Sequence, residues 1–209
     1  MNFAQVYQKY QIPPNLQQHQ LRVAGVAYLI TNNWKTNPPI DPKLMAKVGL
    51  VHDMGNILKF NLEPKIAQRY GLTDLDKWNR VKQLFRQKYG PDENQATFQI
   101  CQELGLTKEL TILKQINQLY DLTKIANSPH WPLKIAVYAD MRVSPDGVVS
   151  FKQRLEDFFQ RYNLHDIDSW LTAGKKIESQ LQSQTKIDIT TITESDLQHL
   201  YPIFLNWKV

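Results

Sequence analysis

The stretch Gly49-Leu-Val-His-Asp-Met-Gly-Asn56 sets an imidazole and a carboxylate side by side, His52 and Asp53, at the polar end of an apolar helical run. Adjacent residues on a helix diverge by about 100°, so the two cannot share one stripe, yet near the helix end they can converge on one small ion. The pair alone reads more readily as a polar, capped helix terminus. A second pair, His165-Asp166, follows Asn163 and precedes Ile167-Asp168-Ser169-Trp170, where Asp166 reads as an N-cap opening a helix. The dipeptide therefore decides nothing without its surroundings. Upstream, His19 and Arg22 stand one turn apart on one helix face. Downstream, Ile135-Ala-Val-Tyr-Ala-Asp140-Met-Arg142 sets a carboxylate in an apolar segment, and burying such a charge is costly unless it is paired or bound to a metal.

Taken in order, His19, His52-Asp53 and Asp140 resemble the pattern of the HD-domain phosphohydrolase superfamily: a first His, a His-Asp pair and a distant Asp. The continuation from Asp140 through Gly147-Val-Val-Ser-Phe to Arg154-Leu-Glu-Asp also looks like the stretch that follows the last ligand in many members. The resemblance covers roughly residues 14 to 162 and implies a metal site made by His19, His52, Asp53 and Asp140. Two imidazoles and two carboxylates suit one divalent ion such as Mn, Fe, Co, Ni or Zn, with Mg less favoured. Members with two metals carry extra histidines between the pair and the last Asp; here residues 56–130 hold only His130, about 15 Å of helix before Asp140. One metal is expected.

The activity that the resemblance implies is metal-dependent phosphohydrolysis of a nucleotide or related phosphate ester. A metal-activated water would be the nucleophile and Asp53 the proton acceptor; by their place near these residues rather than by the resemblance, Arg22, Lys59 and Arg142 are the cations expected to stabilise charge on phosphate oxygens. Asn56 stands where many members have Lys and a mononucleotidase-like subgroup has Glu, and it cannot supply a proton at neutral pH; Glu63 or the leaving group would have to serve. Asn56 and the apolar end Tyr201–Trp207 motivate an alternative. It is a catalytically weak or inactive module of the same fold, keeping its metal or anion site for sensing or partner binding.

The elements that must position these groups read as helices. A short amphipathic pattern over residues 2–11 precedes Pro13-Pro14, and Asn15 is a candidate cap for a helix carrying Leu16, Val23, Val26, Ala27 and Ile30 inward. Asp41-Pro42 opens the helix that runs into His52-Asp53. Further helices are predicted from Glu63, from Thr73 to Tyr89, at 92–104, over Lys108–Tyr120 with Thr107 as cap, at 151–162, from Asp166 to about 182 and from Glu194, with Ser144–Gly147 as a turn. The fold expected is all-α, an HD-domain-like bundle in a single domain over residues 1–209, with its core at about 14–162 and a C-terminal helical extension at 163–209. The apolar tail must dock on this core or on a partner, which leaves a homodimer through the C-terminal helices as one arrangement.

Composition bounds the rest. The 209 residues are 42% hydrophobic, with 8 glycines, 11 prolines and one cysteine, which fits a folded helical protein without an internal disulfide. The run Val23 to Ile30 falls far short of the roughly 20 apolar residues of a membrane span, and the start lacks the pattern of a signal peptide; a cytoplasmic protein without membrane contact is expected. The net charge of +5 favours a small phosphorylated, nucleotide-like ligand, and without an arginine-rich tract nucleic acid is the weaker expectation.

Overall fold

The computed structural model describes residues 1–119, 121–162 and 167–209, apart from the side chains at 69, 161 and 162. The fold is all-α, as expected. Its helices are α1 (Phe3–Lys9), α2 (Pro14–Asn32), α3 (Pro42–Val51), α4 (Pro64–Arg69), α5 (Leu75–Tyr89), α6 (Glu93–Glu103), α7 (Thr107–Leu119), α8 (Leu122–Asn127), α9 (Trp131–Asp140), α10 (Phe151–Tyr162), α11 (Ile167–Gln184), α12 (Glu194–Leu197) and α13 (Tyr201–Asn206). A 3-10 turn, Asn56–Lys59, follows the His-Asp pair. The predicted turn at Ser144–Gly147 closes a small hairpin in which β1 (Val143–Ser144) pairs antiparallel with β2 (Gly147–Val148). The expected cap at Asp166 lies outside the described residues, as does Tyr120.

Local chemistry explains most helix starts. Asp41 accepts a hydrogen bond from the Lys43 amide at 2.9 Å, and Pro42 holds the first helical position with its φ already set. Three starts differ from the sequence reading by one or two residues, among them α7, which begins at Thr107 itself rather than after it. Pro14 occupies the first position of α2, so Asn15 lies inside the helix rather than capping it. Asp74, not Thr73, caps α5 by accepting from the Lys77 amide at 3.0 Å.

Helices α2 and α3 form the most extensive helix pair, and α9 packs on both. The approach of α2 to α3 depends on a residue without a side chain. A Cβ on Gly49 would lie 2.6 Å from the Ala24 amide nitrogen and 2.7 Å from its Cα. Around this centre, Val23, Ala24, Val26, Ala27 and Ile30 of α2, Met45, Val48 and Val51 of α3, and Leu133, Ile135 and Ala139 of α9 are buried. Each fully buried side chain of this type contributes roughly 1.5–3 kcal/mol relative to exposure. The Tyr7 hydroxyl ties α1 to the pair by donating to the Leu50 carbonyl at 2.9 Å.

The C-terminal helices dock on the same body. Helix α11 packs against α8, α9 and α10, and α13 against α1 and α2. Phe204 is fully buried, with its ring centroid 5.6 Å from Tyr28 and 4.8 Å from Trp207. Of the two fates expected for the apolar tail, the chain's own core is the one observed. The ends meet: the Phe3 amide donates to the Trp207 carbonyl at 3.1 Å, and the Val209 amide to the Met1 carbonyl at 3.2 Å. Among the described residues, no helix is long and apolar enough to cross a membrane.

Candidate metal centre

The three helices that pack mutually at the centre carry the four residues that the sequence singles out: His19 on α2, His52-Asp53 at the end of α3, and Asp140 as the last residue of α9. Their polar atoms converge. The Nε2 atoms of His19 and His52 are 3.2 Å apart. Asp53 Oδ2 lies 3.7 Å from His19 Nε2 and 3.6 Å from His52 Nε2. Asp140 Oδ1 lies 3.1 Å and 3.6 Å from the same two nitrogens. Donor atoms of His19, His52 and Asp53 all fall within 4.8 Å of one another. The imidazoles are largely enclosed, while the Asp140 side chain keeps 41% of its surface exposed, so the cluster meets solvent there.

Backbone geometry orients these groups. His52 Nδ1 lies 2.8 Å from the Gly49 carbonyl oxygen. A carbonyl can only accept, so Nδ1 carries the hydrogen and Nε2 faces the cluster. Just beyond Asp53 the chain turns sharply against α6: the Gly55 amide donates to Thr97 Oγ1 at 2.9 Å, and a Cβ on Gly55 would lie 2.1 Å from the Glu93 carbonyl. Only glycine fits there, which accounts for the residue two positions after the pair.

The electrostatics follow from crowding. Burial opposes a charged His52, but the nearby Asp53 and Asp140 carboxylates prevail and raise its pKa to about 9. For Asp140, desolvation opposes ionisation, while hydrogen bonds from His19 and His52 hold the carboxyl well below the usual range. Each set of partners thus favours the other's charge.

The donor set fits a divalent ion. Ligand bonds of about 2.0–2.2 Å place neighbouring ligands about 3–3.6 Å apart around one ion, which is the spacing between the imidazole nitrogens and carboxylate oxygens here. A cavity of about 170 Å³ adjoins the cluster and is lined by Val23, Val48, Asn94, Phe98, Asn117 and Val137, together with His52, Asp53 and Asp140. The residues from α6 and α7 were not singled out from sequence. Their amphipathic pattern marks them as helical, and nothing in it says that Asn94 and Asn117 face this space.

The three cations expected to serve the site are engaged elsewhere. Arg142 is 2% exposed. Its Nε donates to the Val149 carbonyl, Nη1 to the Tyr138 hydroxyl and the Ile189 carbonyl, and Nη2 to the carbonyls of Thr190 and Ile192. All five guanidinium hydrogens have acceptors, so the expected role of Arg142 in holding phosphate is corrected to that of a clamp on the C-terminal segment. Arg22 Nε donates to Glu194 Oε2 at 2.8 Å, turning its head toward α12. Lys59 Nζ is 3.6 Å from Glu93 Oε1 and half exposed. Cys101 is fully buried, with its thiol pushed up to about 12 by burial, and takes no part.

Comparison with known proteins bears on what this centre does. No family model matches the chain, and no solved structure matches it. The chain is similar to the tRNA (cytidine(56)-2'-O)-methyltransferase of Picrophilus torridus, with 27% identity over 156 residues, 75% of this chain. It spans 39% of the length of that curated relative. The relative's named activity is methyl transfer to tRNA, not hydrolysis of a phosphate ester. That finding overturns the expectation of a phosphohydrolase, and with it the description of this chain as a hydrolase of small nucleotide-like esters.

Proposed function

We propose that this chain is a metal-holding, RNA-engaging helical module of an enzyme that acts in tRNA ribose methylation. The observation that carries the reading is the likeness to a tRNA 2'-O-methyltransferase over three quarters of the chain. Two features of the molecule support it: the convergent His19, His52, Asp53 and Asp140 donor set, which resembles the metal site of HD domains, and a net charge of +5.

In this reading His19, His52, Asp53 and Asp140 hold one divalent ion. Bound there, such an ion supplies a positive charge that attracts phosphate or hydroxyl oxygens. The Gly49 carbonyl fixes the His52 ring, and the buried packing of α2 against α3 keeps the imidazoles in register. The adjoining cavity of about 170 Å³ is smaller than the roughly 300–1,000 Å³ of pockets that enclose cofactor-sized ligands. The methyl donor is therefore assigned outside this cavity, and the chain's share of the work is to engage RNA. Such a role places it where tRNA is modified, in the cytoplasm.

Elemental analysis of protein purified without added metal, followed by tRNA binding measured by fluorescence anisotropy with Mn and after chelation, tests the reading. About one ion per chain is expected, with tRNA affinity falling about tenfold or more on chelation and in Asp53→Asn and Asp140→Asn, in line with the usual cost of disturbing a metal site. A chain that retains no metal, or that binds no tRNA at micromolar concentration, overturns it.

A further inference from the structure

Helix α5 divides sharply into two faces. Trp78, Val81, Phe85 and Tyr89 are buried, while Lys77, Asn79, Arg80, Gln83, Leu84, Arg86 and Gln87 are exposed. Residues 59–88, which contain this helix, carry eight lysines and arginines against three carboxylates. Their net +5 equals the formal charge of the whole chain, so the remaining residues balance to zero. The excess of basic residues thus falls in one stretch of the sequence, although two of its cations, Lys59 and Lys88, pair with Glu93 and Glu103 outside it.

The cations on the outer face are also available. Lys88 is paired with Glu103 at 2.8 Å. Among the described residues, no carboxylate forms an ion pair with Lys77, Arg80 or Arg86, although Lys77 Nζ lies 4.7 Å from the Trp78 ring centroid; the amide side chains of Asn79, Gln83 and Gln87 are exposed on the same helix. Cations and amide donors on one helix face are the groups that contact phosphate and sugar oxygens without reading sequence. The face is coupled to the metal centre by the chain itself. Helix α5 packs on the 3-10 turn Asn56–Lys59 that follows Asp53, and Lys82 Nζ donates to the Phe60 carbonyl at 2.7 Å.

We infer that the exposed face of α5, with Lys77, Arg80 and Arg86 as its phosphate contacts, is the surface on which this chain docks RNA. The inference rests on the reading that RNA is the partner and adds where and by which groups it is held. Each cation that neutralises a phosphate releases condensed counterions, giving a slope of about −0.9 per contact in log affinity against log salt on duplex RNA-like stems. Three contacts give a slope of about −2.7.

The test compares two triple variants with the wild type: Lys77→Gln/Arg80→Gln/Arg86→Gln, and a control of equal charge loss, Lys175→Gln/Lys186→Gln/Lys208→Gln. All six residues are exposed, so both variants should melt with the wild type. With tRNA as probe over a salt series, the α5 variant is expected to lose at least tenfold in affinity near 100 mM salt, and its slope to shrink by about 2 to 3. The control should stay within about twofold. Equal losses in the two variants mean diffuse attraction and overturn the assignment, as does an α5 variant that binds like the wild type; both leave the RNA reading intact. A wild type that binds no tRNA overturns the RNA reading together with this inference. Binding to phosphatidylglycerol vesicles in its place would make the face a membrane contact.

Discussion

Gly49→Ala places a methyl group where α2 and α3 are closest. The new Cβ would sit 2.6 Å from Ala24 N, 2.7 Å from Ala24 Cα and 3.0 Å from Val23 C. All three atoms are backbone, so no side chain can rotate away, and reaching ordinary contact requires the helices to part by about 0.8 Å. Overpacking of this kind costs about 1–3 kcal/mol, against about 1 kcal/mol gained from alanine's better helix propensity. A net loss of up to about 2 kcal/mol is expected, which for a chain of this size lowers Tm by up to about 8 °C. The displacement also separates His19 on α2 from His52 at the end of α3, whose Nε2 atoms are 3.2 Å apart, and metal sites tolerate only about 0.2 Å in ligand distance. Metal affinity should fall by about tenfold or more, read by isothermal titration with Mn alongside thermal melts. Gly25→Ala supplies the contrast, because its Cβ meets only the flexible Leu197 side chain at 3.0 Å, and it should leave metal binding unchanged. A Gly49→Ala protein that melts at or above the wild type with unaltered metal affinity would refute the reasoning.

In metal-free protein, the pKa of His52 raised from 6.5 to about 9 adds about 3 kcal/mol; this is fully present below pH 6.5 and lost as pH rises through 9. Chemical denaturation at pH 6 and pH 9.5 should show that decline, with His52→Asn abolishing it; a flat profile in the wild type counts against the carboxylate pairing. Arg142→Met leaves four carbonyls, two of them buried, and a tyrosine hydroxyl without their donor and should cost about 3 kcal/mol or more. Hydrogen exchange should rise at residues 189–192 while metal stoichiometry in the folded fraction holds; loss of metal from a fully stable variant would return Arg142 to the site. Asp140→Asn should reduce metal affinity by about 10–100-fold with helix content unchanged by circular dichroism, and an unaltered affinity would remove Asp140 from the ligand set.

Much of the architecture was legible because helical periodicity and caps are local. Asp41-Pro42 announces α3 and the apolar spacing in α2 announces its buried face, whereas Asn15 and Thr73 lost the capping position to neighbours, a competition among adjacent residues that spacing alone does not resolve. The convergence of His19, His52, Asp53 and Asp140 was legible as an ordered pattern, since chemistry-bearing side chains at the ends of apolar helices have few places to go. Side-chain direction was not legible. Arg142 lies two residues after Asp140, and only the return of residues 189–192, almost fifty positions later, shows where its guanidinium points. Charge distribution was in view but averaged away: +5 over 209 residues reads as mild, and +5 over residues 59–88 does not. The chemistry expected from the ligand pattern did not survive comparison with a tRNA methyltransferase, because a donor set specifies what is held and leaves open what is done with it.

The pairing of residue 2 with residue 208 gives residues 1–209 the topology of a nearly closed ring. Asn2 and Lys208 form an antiparallel bridge, and the Val209 amide reaches the Met1 carbonyl, so a linker of a few residues would join the ends without moving a helix. Closing a loop of this length removes unfolded-chain entropy worth on the order of 5 kcal/mol. The ring could then be reopened elsewhere. A break near Gly71, in the turn between α4 and α5 where a side chain would meet nothing within 4 Å, leaves α2, α3 and α9 uncut and keeps both imidazoles and both carboxylates on continuous helices. Such a permuted chain would begin with α5 and present the basic face at its new N-terminal end, where a fused reporter would sense RNA directly.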